Sequence, residues 1–251
     1  MINVILSGCN GKMGKVISNA VKDGETVKIV AGFDINTEKN FDYPVFDDFD
    51  KITVPANVVI DFSHPANLEK VLCYCTKNNV SAVIATTGFD GAQTEKIFDA
   101  AKKIPVFYTA NMSIGVNLIT ALARQAARVL QGNFDIEIIE KHHNQKIDAP
   151  SGTALMIADE IKKELDETPE YVYDRHSVRK KRDKNEIGLH SVRGGNIVGE
   201  HTVIFAGNDE IVEITHKAAS KEIFALGSIK AAKFLSGKSA GLYNMQDIMN
   251  M

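Results

Sequence analysis

Residues 140–153 hold the densest group of chemically useful side chains in the chain, in the order Glu-Lys-His-His-Asn-Gln-Lys-Ile-Asp-Ala-Pro-Ser-Gly-Thr. His142 and His143 are candidates for proton transfer, because histidine is the side chain whose unperturbed pKa lies nearest neutrality. Lys146 is a compact cation with three N–H donors, suited to holding a carboxylate or to supplying a proton. So many functional side chains in one short stretch favour a reactive site.

The end of the same stretch has the pattern of an anion-binding turn. Ser151 follows a proline and is a preferred helix N-cap, so we expect the amides of Gly152 and Thr153 in the first turn of the next helix. Free N–H groups and the positive end of the helix dipole attract an anion to such a turn. With Lys146 nearby, the pattern predicts a substrate that carries a carboxylate. The alternative is that the histidines end a strand and Ser151 only caps a helix.

The flanking segments indicate how this stretch is positioned. Residues 134–139 alternate between apolar and polar, which predicts a strand, and the apolar positions of residues 154–165 fall on one face of a helix. We therefore expect the polar cluster in a loop between a strand end and a helix start, where catalytic residues are common.

A second candidate site lies at the amino terminus. Gly8, Gly11 and Gly14 separate a predicted strand from an amphipathic helix, and the next predicted strand, residues 27–34, ends on Asp34. This is the order of a dinucleotide-binding β-α-β unit, whose glycines admit a pyrophosphate and whose acid accepts hydrogen bonds from the ribose. The spacing is G-x-x-G-x-x-G, which alone is a weak signal, since glycine turns are frequently only turns.

The strand–helix alternation continues through the first half of the chain. It predicts a parallel sheet with right-handed crossovers, whose ligands lie beyond the carboxyl ends of the strands. Further strands are predicted at residues 57–61, 80–85 and 105–108, and further helices at residues 66–77, 93–102 and 114–130.

The pattern changes after residue 130. Residues 187–192, 196–206 and 209–216 are predicted strands, and the simplest arrangement pairs them antiparallel through turns at residues 194–195 and 207–209. Arg193 can reach a substrate, brace the site or anchor the first of these hairpins.

Composition excludes several classes of protein. The chain has 251 residues, a net charge of −3 and 44% hydrophobic residues, which suits one large or two smaller globular domains without an affinity for nucleic acid or membrane. The basic segment 174–184 is either a phosphate patch or, as we favour in an acidic chain, a solvated mobile loop. Cys9, Cys73 and Cys75 lack zinc spacing and indicate free thiols, so we expect no metal and a cytoplasmic protein.

Residues 140–154 resemble the motif E-x-H-H-x-x-K-x-D-A-P-S-G-T-A of the dihydrodipicolinate reductases, also called 4-hydroxy-tetrahydrodipicolinate reductases, of lysine biosynthesis. Other segments are similar to the same family. They are the glycine loop (G-x-x-G-x-M-G), residues 61–65 (D-F-S-H-P), 86–89 (T-T-G-F), 110–117 (A-N-M-S-I-G-V-N), 191–201 (S-V-R-G-G-N-I-V-G-E-H) and 241–247 (G-L-Y-N-M-Q-D). The resemblance therefore covers essentially the whole chain.

The resemblance implies an α/β protein with two domains. A Rossmann-like parallel sheet domain, residues 1–112 and 222–251, binds the dinucleotide, and an α+β domain, residues 113–221, binds substrate and forms a homotetramer through a mixed, largely antiparallel sheet. The implied reaction transfers a hydride from NADH and/or NADPH to a small cyclic dicarboxylate. Asp34 followed by Ile35 favours NADH, although Lys12 and Lys39 can meet a 2′-phosphate.

The resemblance also assigns roles to single residues. His142 and Lys146 are the implied catalytic residues, and the implied substrate ligands are His143, Lys146, Ser151, Gly152 and Thr153. The implied cofactor-binding residues are Gly8, Cys9, Asn10, Gly11, Lys12, Met13, Gly14, Asp34, Ala85, Thr86, Thr87, Thr109, Ala110, Asn111 and Met112. The competing interpretations are another Rossmann oxidoreductase of amino-acid metabolism, a nucleotide-sensing protein without activity and, more weakly, a zinc hydrolase.

Overall fold

The computed structural model describes residues 1–22 and 24–250, which form two compact units. Unit 1 comprises Met1–Ile114 and Lys221–Met251, and unit 2 comprises Gly115–Ser220. Each unit has its own sheet and hydrophobic core.

Unit 1 contains a seven-stranded parallel sheet. Its strands are β1 (Ile2–Ser7), β2 (Val27–Phe33), β3 (Val45–Phe46), β4 (Val58–Asp61), β5 (Ser81–Ile84), β6 (Pro105–Tyr108) and β12 (Gly241–Tyr243). Its helices are α1 (Lys12–Val21), α2 (Leu68–Asn78), α3 (Gly91–Ala101), α6 (Glu222–Leu235) and α7 (Met245–Met249). The strand order β12-β6-β5-β4-β1-β2-β3 reverses direction at β1, which is where dinucleotides bind in doubly wound folds.

Helices cover both faces of this sheet, and the strand sequences show why. Val4 and Leu6 of β1 point into a core shared with α1 and α6, whereas Ile5 between them points into a core shared with α2 and α3. A strand buried on both faces must be apolar at successive positions, as the central strands here are. The two short edge strands β3 and β12 carry too few residues for such a pattern and were not predicted.

Unit 2 contains a five-stranded mixed sheet with two helices. Its elements are α4 (Ile114–Leu130), β7 (Asp135–His142), α5 (Gly152–Lys162), β8 (Glu170–Val172), β9 (Glu186–Arg193), β10 (Gly199–Ala206) and β11 (Ile211–Ala218). The strand order is β11-β10-β7-β9-β8, with antiparallel pairs on the β10 side of β7 and parallel pairs on the β9 side. The predicted combination of a Rossmann-like sheet with a second, mixed sheet is confirmed; half of the pairings in the second sheet are antiparallel.

The predicted hairpin at Gly194–Gly195 is wrong. β9 and β10 do not pair with each other, because β7 lies between them, pairing parallel with β9 and antiparallel with β10. The predicted turn between β10 and β11 is present, since these strands pair antiparallel along their whole length. Arg193 therefore anchors no hairpin.

The basic segment 174–184 is not simply solvated. Arg182 donates to Glu137 at 3.0 Å and to Asp135 at 2.9 Å, and its side chain also reaches the carbonyl oxygens of Ile136 and Glu186. Arg175 bonds the same Glu137 at 2.6 Å. Two arginines of this segment are thus held by acidic residues of the sheet, whereas the sequence favoured a solvated mobile loop.

Candidate active site

The site is built around the carboxyl end of β7, which continues to His142 rather than ending at residue 139 as predicted. The alternation along a strand places Glu140 and His142 on one face. Glu140 is fully buried, and its two carboxylate oxygens accept from His142 Nδ1 at 2.6 Å, the Ser151 amide at 3.1 Å, and Arg193 Nη1 and Nη2 at 2.8 and 2.6 Å. A buried charge is tolerable only with such partners.

These contacts keep Glu140 ionised. Burial alone would raise the pKa of the Glu140 carboxyl, but the hydrogen bonds from Arg193, His142, Ser191 and the Ser151 amide together lower its pKa to about 2. The same contact raises the pKa of the Arg193 guanidinium. A permanent negative charge therefore lies directly behind the imidazole of His142.

The His142 imidazole, on β7, lies against residues of the neighbouring strand β10. Its ring packs edge-on against His201, with ring centroids 5.2 Å apart. A Cβ placed on Gly199 would lie 3.1 Å from His142 Nε2, so a side chain there would crowd this nitrogen. The arrangement leaves Nε2 as the nitrogen of His142 that does not face Glu140.

Ser151 caps α5 as predicted. Its Oγ accepts from the Ala154 amide at 3.2 Å and lies 3.0 Å from His201 Nε2. The tautomer of His201 determines which of these two atoms donates the proton. Gly152 begins the helix, and a Cβ placed on it would meet nothing within 4 Å. The first turn of α5 therefore has open space beside Gly152.

His201 is a neutral, structural member of this group. Burial, followed by the neighbouring His142, lowers the pKa of His201 to about 4. Within the described part of the chain, no partner reaches its buried Nδ1. Its role is to hold the Ser151 hydroxyl.

Lys146 lies on the other side of the same cluster. Its Nζ is 2.8 Å from Asp148 Oδ1, and this hydrogen bond lowers the pKa of the Asp148 carboxyl. The Asp148 carbonyl accepts from Arg193 Nη2 at 2.7 Å, which links Lys146 to the Glu140 group. His143 is half-buried, and its carbonyl accepts from the Lys146 amide at 3.2 Å. The structure thus brings the predicted histidines, lysine and helix turn into one connected group.

Glu140 and Asp148 are the members of this group to which the sequence assigned no role. Glu140 could have been found, because a residue two positions before His142 on a strand shares its face. Bracing the site is one of the three roles that the sequence left open for Arg193, and its contacts with Glu140, 53 residues away in sequence, support that role.

The glycine loop of unit 1 has the close backbone approaches expected of a nucleotide site. Gly8 has φ +78°, and a Cβ on it would lie 2.6 Å from the Phe62 carbonyl oxygen. A Cβ on Gly14 would lie 2.2 Å from the Gly8 carbonyl oxygen. Gly11 is the N-cap of α1, whose first turn has no acidic residue and, among the described residues, no side-chain cap. These features leave the first turn of α1 suited to an anion.

Asp34 lies beside this loop. Its Oδ2 accepts from the Asn10 amide at 2.9 Å and its Oδ1 from the Asn36 amide at 3.1 Å. The Asn10 side chain donates to the carbonyl oxygens of Asn36 and Glu38. The loop and the end of β2 are therefore held together, and Asp34 is placed to accept further hydrogen bonds. Ile35, by contrast, is exposed.

A buried aspartate joins two of the predicted cofactor segments to the loop that follows β4. Asp61 is fully buried at the end of β4, and it accepts from the hydroxyls of Ser7, Ser63 and Thr86, each at 2.6 Å. These hydroxyls belong to the ends of β1, β4 and β5, so one carboxylate orders three loops. His64 accepts from the Ala66 amide at 3.2 Å and caps a short turn.

The remaining predicted cofactor residues lie at the same edge of the sheet. Thr109 Oγ1 bonds the amide and carbonyl of Asn111, whose side chain accepts from the Ser113 amide at 2.8 Å. Ala85 and Met112 are buried, whereas Thr87 is exposed. Cys9 is buried, and burial, then the charge of Asp34, raises the pKa of its thiol to about 12.

Two features are absent from residues 1–22 and 24–250, a metal-binding cluster and a membrane-spanning helix. No group of three or more histidine, cysteine, aspartate or glutamate side chains there is arranged to hold a metal ion. No helix in those ranges has both the length and the apolarity to cross a membrane.

Comparison with known proteins identifies the family. The family models described as "Dihydrodipicolinate reductase, N-terminus" and "Dihydrodipicolinate reductase, C-terminus" match residues 2–112 and 115–249. The chain is 49% identical to the 4-hydroxy-tetrahydrodipicolinate reductase of Clostridium tetani over 250 residues, covering 100% of this chain and 98% of the relative. It is 50% identical to that of Clostridium novyi over 249 residues, covering 99% and 98%.

A solved structure agrees with these matches. It is a dipicolinate-bound dihydrodipicolinate reductase from Paenisporosarcina sp. TG-14, 27% identical, with a TM-score of 0.83 and coverage of 97% of both chains. The His-His-x-x-Lys cluster at the end of β7, the glycine loop and the two-sheet architecture therefore occur in a chain that matches one family over nearly its whole length. The chain belongs to the dihydrodipicolinate reductase family.

Proposed function

We propose that the protein reduces 4-hydroxy-tetrahydrodipicolinate to tetrahydrodipicolinate in the diaminopimelate route to lysine. The observation that carries this proposal is the His142–Glu140 pair beside the Ser151-capped turn and Lys146, in a chain of this family. Overall, the substrate and NAD(P)H give tetrahydrodipicolinate, NAD(P)⁺ and water, with uptake of one proton. Unit 2 carries the substrate groups, and unit 1 carries the nucleotide groups.

The reduced nicotinamide nucleotide supplies the hydride when it is bound. The residues of unit 1 fit such a nucleotide for two reasons. At Gly8 and Gly14 a Cβ would clash with neighbouring backbone atoms, so the loop is tightly closed by glycine, as in dinucleotide-binding turns. The first turn of α1 also contains no acidic residue that would repel a pyrophosphate. The pyrophosphate would be held by the loop from Gly8 to Gly14, and the adenosine ribose by Asp34. Thr86, Thr87 and residues 109–112 would flank the nicotinamide.

The substrate carries two carboxylates, and unit 2 offers complementary charge. We assign the amides of Gly152 and Thr153 to one carboxylate, since they lie at the positive end of α5 and the Gly152 amide already donates to a carboxylate, that of Asp148. Lys146 and His143 supply the further donors. Ser151 acts by capping the helix and holding the turn. The dipicolinate in the Paenisporosarcina relative is itself a planar dicarboxylate, which supports this class of ligand.

Proton transfer is assigned to His142 and Lys146. In the family reaction, water leaves the hydroxylated substrate, the hydride adds to C4 of the ring, and the resulting enamine takes up a proton. His142 Nε2 is the ring nitrogen that does not face Glu140, so it is the nitrogen placed to give or take that proton. Lys146 can donate the proton through Nζ, which is held by Asp148. The protein contributes orientation and charge neutralisation.

NADH is the cofactor that we expect to be preferred. The Asp34 carboxylate accepts from ribose hydroxyls but repels a 2′-phosphate, and the exposed Ile35 offers no cation where a phosphate would lie. Lys12, in the first turn of α1, and Lys39 are the cations available to NADPH. We therefore expect NADPH to be used less efficiently.

We also propose a homotetramer that forms through the sheet of unit 2. Helices α4 and α5 cover one face of this sheet. The opposite face carries the half-buried Ile139 and Ile204, and Val192 and Ile211 are among the exposed large apolar side chains of the chain. Light scattering after gel filtration measures the mass directly.

The three free thiols support a reducing, cytoplasmic location.

The decisive experiment is nicotinamide oxidation at 340 nm, with substrate generated in situ by a dihydrodipicolinate synthase and with NADH and NADPH run side by side. Substrate-dependent oxidation by the wild type is expected, and His142→Gln should lower kcat with a modest change in substrate KM. Folded wild-type protein that binds NADH but oxidises neither cofactor would refute the proposed activity. Unchanged turnover in His142→Gln would refute only the role of His142.

A further inference from the structure

The Glu140 carboxylate is the point at which the two functional parts of unit 2 meet. Oε2 accepts from His142 Nδ1 at 2.6 Å and from Arg193 Nη1 at 2.8 Å, and Oε1 accepts from Arg193 Nη2 at 2.6 Å and from the Ser151 amide at 3.1 Å. The Ser191 hydroxyl donates to the same group. The nitrogens of the imidazole can donate or accept a hydrogen bond, and all of the other partners of Glu140 can only donate to it here.

The contacts determine which nitrogen of His142 carries the proton. An ionised carboxylate can only accept, so the His142 nitrogen that faces Glu140 must be Nδ1–H. In the neutral ring, Nε2 then has the free lone pair. The carboxylate thus holds the ring in one tautomer and also fixes its orientation, because Arg193 and the Ser151 amide prevent the carboxylate from turning.

The same carboxylate reaches the turn that precedes α5. The Ser151 amide donates to it directly, and Ser151 is the N-cap whose position determines where the Gly152 amide lies. Arg193, held by Glu140, also donates to the Asp148 carbonyl at 2.7 Å. We propose that Glu140 is a positioning residue that sets both the tautomer of His142 and the placement of the Gly152–Thr153 turn.

Glutamine at position 140 would have nearly the same shape but the wrong chemistry. Its amide has one acceptor oxygen in place of two, and its NH₂ group would face the N–H groups of Arg193 or Ser151. At least one present contact must then be lost, and the guanidinium of Arg193 loses its charge partner. Glu140→Asp keeps the charge but is one methylene shorter, so it cannot serve all of the donors at once.

The test compares wild type, Glu140→Gln, Glu140→Asp and Glu164→Gln. Glu164 is a matched control, because its carboxylate also accepts from two arginines, Arg124 and Arg128, in unit 2. We measure kcat, substrate KM and the dissociation constant of NADH. Long-range ¹H–¹⁵N spectra of protein labelled at its histidines give the tautomer of His142, whose signals are assigned by their absence from His142→Gln.

Glu140→Gln is expected to lower kcat by about 10- to 100-fold, by analogy with the loss of a carboxylate that orients a metal-ligating histidine. Substrate KM should rise while NADH affinity stays as in the wild type. The Nδ1–H tautomer should dominate in the wild type and lose its dominance in Glu140→Gln, and Glu140→Asp should be intermediate in kcat. Glu164→Gln should keep the wild-type kcat and tautomer.

The inference rests on the proposed reductase activity, so wild type and His142→Gln are assayed first. If both behave as proposed and Glu140→Gln keeps kcat within about twofold of wild type, the positioning role alone is refuted. If Glu140→Gln does not fold, the wild-type spectrum is decisive. An Nε2–H tautomer of His142 in that spectrum would overturn the inference, and an Nδ1–H tautomer together with a kcat of Glu140→Asp below that of the wild type would support it.

Discussion

Replacing Gly14 by alanine tests the glycine loop with a single methyl group. Gly14 is the third residue of α1, and its Cβ would lie 2.2 Å from the Gly8 carbonyl oxygen and 2.4 Å from that of Cys9. Real Cβ atoms essentially never approach such atoms within 3.0 Å, so the distance from the new Cβ to the Gly8 carbonyl oxygen must increase by about 0.8 Å. Both obstacles are backbone atoms, so no change of side-chain rotamer relieves the clash. Either the loop or the start of α1 must move.

The cost can be estimated from two opposing effects. Overpacking of this kind destabilises by about 1–3 kcal/mol, and the backbone obstacles at Gly14 place it at the upper end of that range. The better helix propensity of alanine returns up to about 1 kcal/mol. We expect a net loss of about 2 kcal/mol, which lowers Tm by roughly 4–8 °C in a chain of this size.

The effect on the nucleotide should be larger than the effect on stability. A loop displaced by about 0.8 Å loses at least one hydrogen bond to the pyrophosphate, and a bond to a charged group contributes about 1.5–3 kcal/mol. The dissociation constant of NADH should therefore rise about 10- to 100-fold. Fluorescence titration with NADH and thermal unfolding measure the two quantities on the same samples.

Gly91→Ala is the matched control. Gly91 is the first residue of α3 in the same unit, and a Cβ there meets nothing within 4 Å. This variant should bind NADH as the wild type does and unfold at the same or a slightly higher temperature. The reasoning fails if Gly14→Ala binds NADH within about twofold of the wild type and has the same Tm. The close packing of Gly14 against the Gly8 and Cys9 carbonyl oxygens would then not determine the shape of the site.

Three further perturbations probe other contacts. His201 is held neutral, with a folded pKa of about 4 against 6.5 unfolded, so its contribution to stability is present above pH 6.5 and is lost as the pH falls towards 4. In urea titrations, the free energy of unfolding of the wild type should fall by about 2 kcal/mol between pH 7 and 5 because of this group. His201→Gln, which keeps an acceptor for Ser151, should lose less over the same range. Equal losses in the two proteins would contradict the assignment. Gly188→Ala puts a Cβ 1.7 Å from Glu137 Oε2 and should cost about 1–3 kcal/mol in the same assay, whereas unchanged stability would mean that the carboxylate moves freely. Asp61→Asn replaces one acceptor oxygen of the three-hydroxyl group by a donor and should cost about 1–3 kcal/mol while weakening NADH binding; wild-type affinity would show that these loops are ordered by other contacts.

Local patterns were sufficient for the central strands and the glycine loop of unit 1. The strand 2–6, the glycine loop and Asp34 are close in sequence, and each leaves a signal in spacing or apolar run length. The short strands β3 and β12 left none, because two or three residues cannot show a period. Their place in the sheet depends on pairing with β2 and β6.

The second sheet was harder to predict, since its order depends on distant contacts. The two glycines 194–195 between β9 and β10 favour a hairpin locally, but β7 is inserted between these strands. The sequence predicts that this strand ends at residue 139, because Glu140 and Lys141 interrupt the apolar pattern. It continues because Arg193 neutralises Glu140, a pairing that no local pattern reveals.

The division of unit 1 between the two ends of the chain has a consequence for its biosynthesis. α6 packs on β4, β5 and β6, and β12 completes the sheet beside β6, yet both come from residues after Lys221. A ribosome that adds about 5–20 residues per second needs on the order of 5–20 s to synthesise Gly115–Ser220. During that interval α6 has not yet been made, so the apolar face of the sheet that it covers, with Val58, Ile60 and Phe107, is exposed on the nascent chain. The amino-terminal sheet is thus the first part to be made and the last to be completed, and it is the surface on which we expect chaperones to act.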